Sequence, residues 1–230
     1  MSNRVLFIVT GTGKIDEKTK KSLDANLDKE DAKVFVKYGD IQSEEYYTLK
    51  DEVNKIVNDV NNFDYVCLLP NGSELNSSAK QIFNEYVSNR SEEFVNVFLP
   101  FVFYKTDIVT VLNKHLWNSM IASVPGVLDI DLALKQIDST MFGAFIPTGI
   151  FFDENNYKPG MKYYQQYFFL NSIASSDDYV ITSIPKIILN VADEWDFKFS
   201  AINNEEKVKY FTMARENWAE DKQTTTVESN

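Results

Sequence analysis

Two short, nearly unbroken apolar runs constrain this chain more than any other feature: Arg4 to Thr10, centred on Val5-Leu6-Phe7-Ile8-Val9, and Asp64 to Leu69, centred on Tyr65-Val66-Cys67-Leu68-Leu69. Consecutive strand residues point to opposite faces, so a run without polar alternation is a strand covered on both sides. Each run stops at a turn signal, Gly11-Thr12-Gly13 in the first and Pro70-Asn71-Gly72 in the second. Between them Asp16 is placed to cap a helix through Leu27, with Ile15, Thr19, Leu23 and Leu27 near helical spacing. Lys33 to Tyr38 alternates as a strand closed by Gly39-Asp40, and Glu44 to Asn61 reads as a helix with Leu49, Val53, Ile56, Val57 and Val60 on one face. Leu75 to Val87 reads as a further helix and Phe94 to Tyr104 as a further strand. This alternation predicts an α/β fold with a mostly parallel central sheet and helices on both faces.

The remainder changes character. Val109 to Ser123 and Ile130 to Ile137 have helical patterns separated by Pro125-Gly126, and Phe142 to Phe152 carries two strand-like pieces around Pro147-Thr148-Gly149. Lys162 to Ala174 is a strongly aromatic helix, Tyr179 to Asn190 holds strand segments around Pro185, and Trp195 to Ala201 alternates like an edge strand. Glu205 to Trp218 is amphipathic, and the polar residues 221–230 read as a disordered tail. No repeat and no linker-like break interrupts the pattern, so residues 1–220 are expected to form a single domain.

Composition narrows the functions. With 23 Lys and Arg against 34 Asp and Glu, the net charge is −11, which opposes nucleic acid and anionic lipid as partners. One cysteine and one histidine leave no disulfide, thiolate cage or multi-histidine metal site. No apolar stretch reaches the ~20 residues of a membrane span, and no secretory leader is visible, so the expected location is the cytoplasm or a particle assembled there.

The order of pieces resembles a family 2 glycosyltransferase with the GT-A fold, in which a Rossmann-like nucleotide-binding half is fused to an acceptor-binding half that completes one sheet. Val5 to Thr10 with Ile15 to Leu27 resembles the opening strand and helix, and Lys33 to Asp40 the second strand with its nucleotide-contacting turn. Asp64 to Leu69, followed by Pro70 to Leu75, resembles the strand and turn that carry the metal-binding acidic motif. Ile137 to Phe152 resembles the acceptor-side segment, and Met161 to Ala174 with Tyr179 to Leu189 the catalytic-base helix and the strand after it. The resemblance implies a nucleotide-binding-like half over 1–105 and an acceptor-like half over 106–220, with any surviving nucleotide contacts at Thr10, Gly11, Thr12, Gly39, Asp40 and Glu74.

The departures fall on the chemistry. Such enzymes hold a divalent cation through an Asp-x-Asp motif after the third strand, and hard cations need oxygen ligands. Here the matching residues are Pro70, Asn71 and Gly72, with Glu74 the nearby carboxylate. The carboxylate expected at the end of the second strand falls near Lys37-Tyr38, and the catalytic Glu-Asp pair of the aromatic helix is replaced by Gln165 and Gln166. An amide cannot take a proton from an acceptor hydroxyl. No metal and no cofactor is therefore expected.

Other tempting features have ordinary explanations. Asp129-Ile130-Asp131 reads as a helix cap, Asp193 to Asp196 as an acidic surface turn, His115 as a structural histidine and Cys67 as an inert core thiol. Gly11-Thr12-Gly13-Lys14 lacks the spacing of a phosphate loop and reads as a tight turn.

Loss of three chemical roles points to a catalytically degenerate glycosyltransferase-like protein serving structure, assembly or interaction, and its compactness and composition would suit a viral particle. The alternatives are an active family 2 type enzyme of metal-independent kind using Glu74 or the Asp193 to Asp196 cluster, and a sugar- or nucleotide-binding module without turnover. Partners are then expected to be other protein chains, including copies of this one, with Tyr163, Tyr164, Tyr167, Phe168, Trp195 and Trp218 as interface candidates.

Overall fold

The structure, a computed structural model, describes residues 3–11, 13–37, 46–89, 95–104, 107–110, 141–157, 169, 172–173, 176 and 178–191. Eight strands within these residues form one mixed sheet: β1 (Val5–Gly11), β2 (Ala32–Lys37), β3 (Tyr65–Pro70), β4 (Glu74–Leu75), β5 (Val95–Tyr104), β6 (Asp107–Thr110), β7 (Phe145–Pro147) and β8 (Tyr179–Val191). Their spatial order is β2-β1-β3-β7-β5-β8-β4, with β6 hairpinned onto β5. Pairing is parallel for β1 with β2 and β3 and for β5 with β8, whereas β7 runs against both β3 and β5. Strands β1, β2, β3, β5 and β8 thus share one direction, opposed by β4, β6 and β7.

The apolar runs do what their lack of alternation requires. Val5 to Val9 have no solvent exposure, and Tyr65 to Leu69 have 3% or less, so both faces of β1 and β3 are covered. One face carries an aromatic cluster. Phe83 from helix α3 (Ala79–Ser88) stacks on Phe145 of β7 and meets Tyr65 and Phe98 edge-on. Phe7 packs edge-on against Phe145 from β1. Burial continues through Met141 to Ile146 and along β8, so residues from both halves of the chain share one core.

Helix α1 (Glu17–Asp24) starts where the sequence places it: the Asp16 carboxylate caps it by accepting from the Lys18 N–H at 2.8 Å, and Thr19 and Leu23 are buried. The helix expected over Glu44 to Asn61 is instead broken. A 3-10 turn at Tyr46–Thr48 leads into α2 (Leu49–Val57), and a second 3-10 turn covers Val60–Asn62. The break falls at Asn58, whose φ of 69° and ψ of −49° take it out of the helical region into a positive-φ conformation that residues other than glycine seldom adopt. Ile56, expected on the apolar face, is 58% exposed.

Three further expectations need correction. Helix α3 begins at Ala79 and not Leu75, because Glu74–Leu75 pair with Asn190 and Leu189 of β8. Asp107–Thr110 return along β5 as a strand, so no helix starts at Val109. Thr148–Phe151 form a single helical turn, α4, where a second strand piece was expected. The segments around Pro185 form one continuous β8. Its register against β5 jumps from Pro100↔Ile184 to Phe101↔Ile187, which leaves Pro185 in an irregularity where its missing N–H breaks no ladder.

Candidate functional site

In an open α/β sheet, ligands sit beyond the carboxyl ends of the parallel strands. Here that region is formed by the end of β1, Thr10 and Gly11, and by the turn after β3, Pro70 to Glu74. The two are tied together. The Asn71 N–H donates to the Thr10 carbonyl at 2.8 Å, its Oδ1 accepts from the Asp16 N–H at 2.8 Å, and its Nδ2 donates to the Lys14 carbonyl at 2.9 Å. Backbone approach is so close that a Cβ built on Gly11 would lie 2.5 Å from Asn71 Cβ, so only glycine fits.

Helix α1 supplies the rest of the stitching. The Gly72 N–H donates to Thr19 Oγ1 at 2.9 Å, and that hydroxyl donates to the Ser73 carbonyl at 2.7 Å. Ser22 Oγ accepts from the Leu75 N–H at 3.1 Å. The Asn26 amide donates to the Asn76 carbonyl at 2.8 Å and accepts from the Lys80 N–H at 3.1 Å. Asn76 N–H then reaches the Ile188 carbonyl at 2.8 Å, which anchors the segment to β8. Thr19 and Ser73 are fully buried, and the position of Gly72, at φ 86°, suits glycine.

The expected metal-binding turn is therefore a neutral, hydrogen-bonded junction. Glu74 lies on β4 with its side chain exposed. It borders a cavity of about 530 Å³ between α1 and β8, which Lys18, Lys21, Ser77 and Ile187 also line. Among the described residues no three His, Cys, Asp or Glu side chains converge to hold a metal ion, and no helix is long and apolar enough to cross a membrane. Thr12, Gly39, Asp40, Gln165, Gln166, Tyr163, Tyr164, Tyr167, Phe168, Trp195 and Trp218 lie outside the described residues, as do His115, Asp129, Asp131 and Asp193 to Asp196. Their neighbour Phe169 is fully buried and packs against Tyr157. Cys67 is fully buried in β3, and desolvation pushes its thiol pKa far up, so it stays a neutral thiol.

Charge gathers at the opposite ends of the same strands. Asp31, whose side chain is 1% exposed, pairs with Lys80 at 2.6 Å and 2.7 Å and also accepts from the Val5 and Asp28 N–H groups. It edges a cavity of about 1050 Å³ that Arg4, Asp28, Lys29, Glu30 and Asp64 also line.

Sequence reasoning missed Thr19, Ser22 and Asn26 as residues that hold the junction. Their signal was present, since positions i, i+3 and i+7 put three short polar side chains on one side of α1 and of the turn that ends it. No protein-family model matches this chain, and no curated protein sequence matches it.

Proposed function

We propose that this chain is a catalytically degenerate glycosyltransferase-like protein that works as a structural, assembly or interaction component. The fold reading is supported by the way the sheet is made: β1, β2 and β3 form a parallel block, and strands from the second half, β7 and β8, enter beside β3 and β5 to complete the same sheet. That is the arrangement the GT-A resemblance implies.

The observation that carries the functional reading is the junction at Pro70 to Glu74. Where the resemblance implies carboxylates around a cation, Asn71 uses its main-chain N–H and both ends of its side-chain amide to fasten the β1–α1 connection. Its Oδ1, the side-chain oxygen that a cation would need, already accepts from the Asp16 N–H. Neutral amides also give a divalent ion less stabilisation than ionised carboxylates. Function then rests on surfaces, and the net charge of −11 favours a basic protein partner.

Calorimetric titration of the purified chain with UDP and Mn²⁺ tests the reading. No micromolar binding is expected. A clear metal-dependent isotherm would refute it, with Glu74 the first carboxylate to replace.

A further inference from the structure

We infer that Asn71-Gly72 is a deamidation site held in check by the fold, with the junction around Thr19 as the restraint. This is the only Asn-Gly pair in the chain. Glycine has no Cβ, so its peptide nitrogen approaches the preceding side chain with little obstruction. In the reaction the Gly72 nitrogen gives its proton to water and bonds to Asn71 Cγ. The Cγ–Nδ2 bond breaks and ammonia leaves with the proton. Water then opens the cyclic imide at either carbonyl, giving aspartate or isoaspartate, with no change of oxidation state.

Each atom that must move is occupied. The nucleophilic nitrogen holds its proton toward Thr19 Oγ1 at 2.9 Å, inside a helix face where Thr19 is fully buried. The electrophilic amide is fixed at both ends, by Asp16 N–H on Oδ1 and by the Lys14 carbonyl on Nδ2. Rotation of Asn71 toward Gly72 breaks both bonds, and its backbone is anchored to Thr10. The turn is nevertheless only part-buried, so water reaches the imide once it forms.

The product undoes the restraint. A carboxylate at position 71 puts an oxygen where Nδ2 donates to the Lys14 carbonyl at 2.9 Å, which leaves two acceptors with no proton between them. The connection from Gly11 to Asp16 then loses one of its two side-chain ties to the turn after β3, and the remaining one, from the Asp16 N–H, must hold against the Lys14 carbonyl's repulsion. This consequence concerns the chain's own chemistry and holds whether or not the chain descends from a transferase.

The test compares deamidation at residue 71 in the full-length chain, native and in urea at mildly alkaline pH, by tandem mass spectrometry of the peptide. The native rate is expected to be at least about tenfold below the urea rate, a restraint of about 1.4 kcal/mol. Thr19→Val removes the acceptor of the Gly72 N–H, and Gly11→Ala drives a methyl group into Asn71; each, if folded by circular dichroism, raises the native rate toward that in urea. Separately, Asn71→Asp is expected to be cut by trypsin after the exposed Lys14 faster than wild type. Equal native and urea rates would overturn the restraint, and no reaction in urea would overturn the site. Folded Thr19→Val and Gly11→Ala proteins with the wild-type rate would overturn the assigned role of the junction. Should both variants unfold, the native-to-urea comparison and the trypsin experiment still decide.

Discussion

The two ends of the parallel strands β1 and β3 are built from opposite materials. At their carboxyl ends, where an α/β sheet normally receives a ligand, Asn71, Thr19, Ser22 and Asn26 make a web of neutral side chains bonded to main-chain groups. At their amino ends, charges crowd around a cavity of about 1050 Å³. Yet the charge at the amino end is turned inward. The Asp31 carboxylate accepts from two backbone N–H groups and from Lys80, while the exposed Arg4–Asp64 pair, at 3.6 Å and more than 40% exposed on each side, is of the kind worth at most about 1 kcal/mol. Polarity is thus used for construction at both ends, ionic at one and neutral at the other. The difference teaches that a charged cavity and a ligand site are separate claims.

The largest effect should come from breaking the ionic end. Lys80→Met leaves a carboxylate that is 1% exposed without its cation and is expected to cost about 3–5 kcal/mol, measured by urea unfolding. The companion Lys80→Met, Asp31→Leu double variant should recover part of that loss. A single variant as stable as wild type would show the pair to be superficial and would dissolve the contrast.

The neutral end should yield less. Asn71→Ala removes two part-exposed side-chain hydrogen bonds and is expected to cost about 1–3 kcal/mol. Hydrogen exchange should localise the change to the amides of residues 13 to 16. A loss spread evenly over the sheet would mean that the two ends are not independent.

The smallest effect lies midway, at Cys67. Burial raises its pKa in the folded chain, so below roughly pH 8.5 both folded and unfolded states carry the thiol. Above that the unfolded state ionises and the folded state does not, so stability falls with rising pH by at most about 1.4 kcal/mol per unit. Cys67→Ala should lack this component, which the difference between the two pH–stability curves isolates. Native Cys67 should also resist alkylation until the chain unfolds.

Legibility followed the range of the interactions. β1 and β3 were readable because an apolar run has one physical solution, and the Asp16 cap was readable because it acts two residues away. β4 was not. Glu74 and Leu75 show no periodicity of their own and are a strand only because Asn190 and Leu189 lie beside them. The break at Asn58 has no Gly or Pro to announce it, and its side-neighbour Asn54 supplies the carbonyl and amide that close it. At the site, the turn Pro70-Asn71-Gly72 was legible as a turn, but the task of Asn71 depends on Lys14 and Asp16, more than fifty residues away. The bland reading of Cys67 required only its strand, and the structure bears it out.

The position of β7 has a consequence for synthesis. Strands β3 and β5 are both made early, yet the strand that lies between them, Phe145–Pro147, comes off the ribosome only after a long further stretch. At ~5–20 residues per second that delay is roughly two to eight seconds. Throughout it the edges of β3 and β5 that β7 covers in the finished sheet lack that partner and are open to any extended segment that arrives first. The order of translation therefore makes the insertion of β7, and not the pairing of the first-made strands, the step at which β3 and β5 are either bridged by their own strand or captured by a foreign chain.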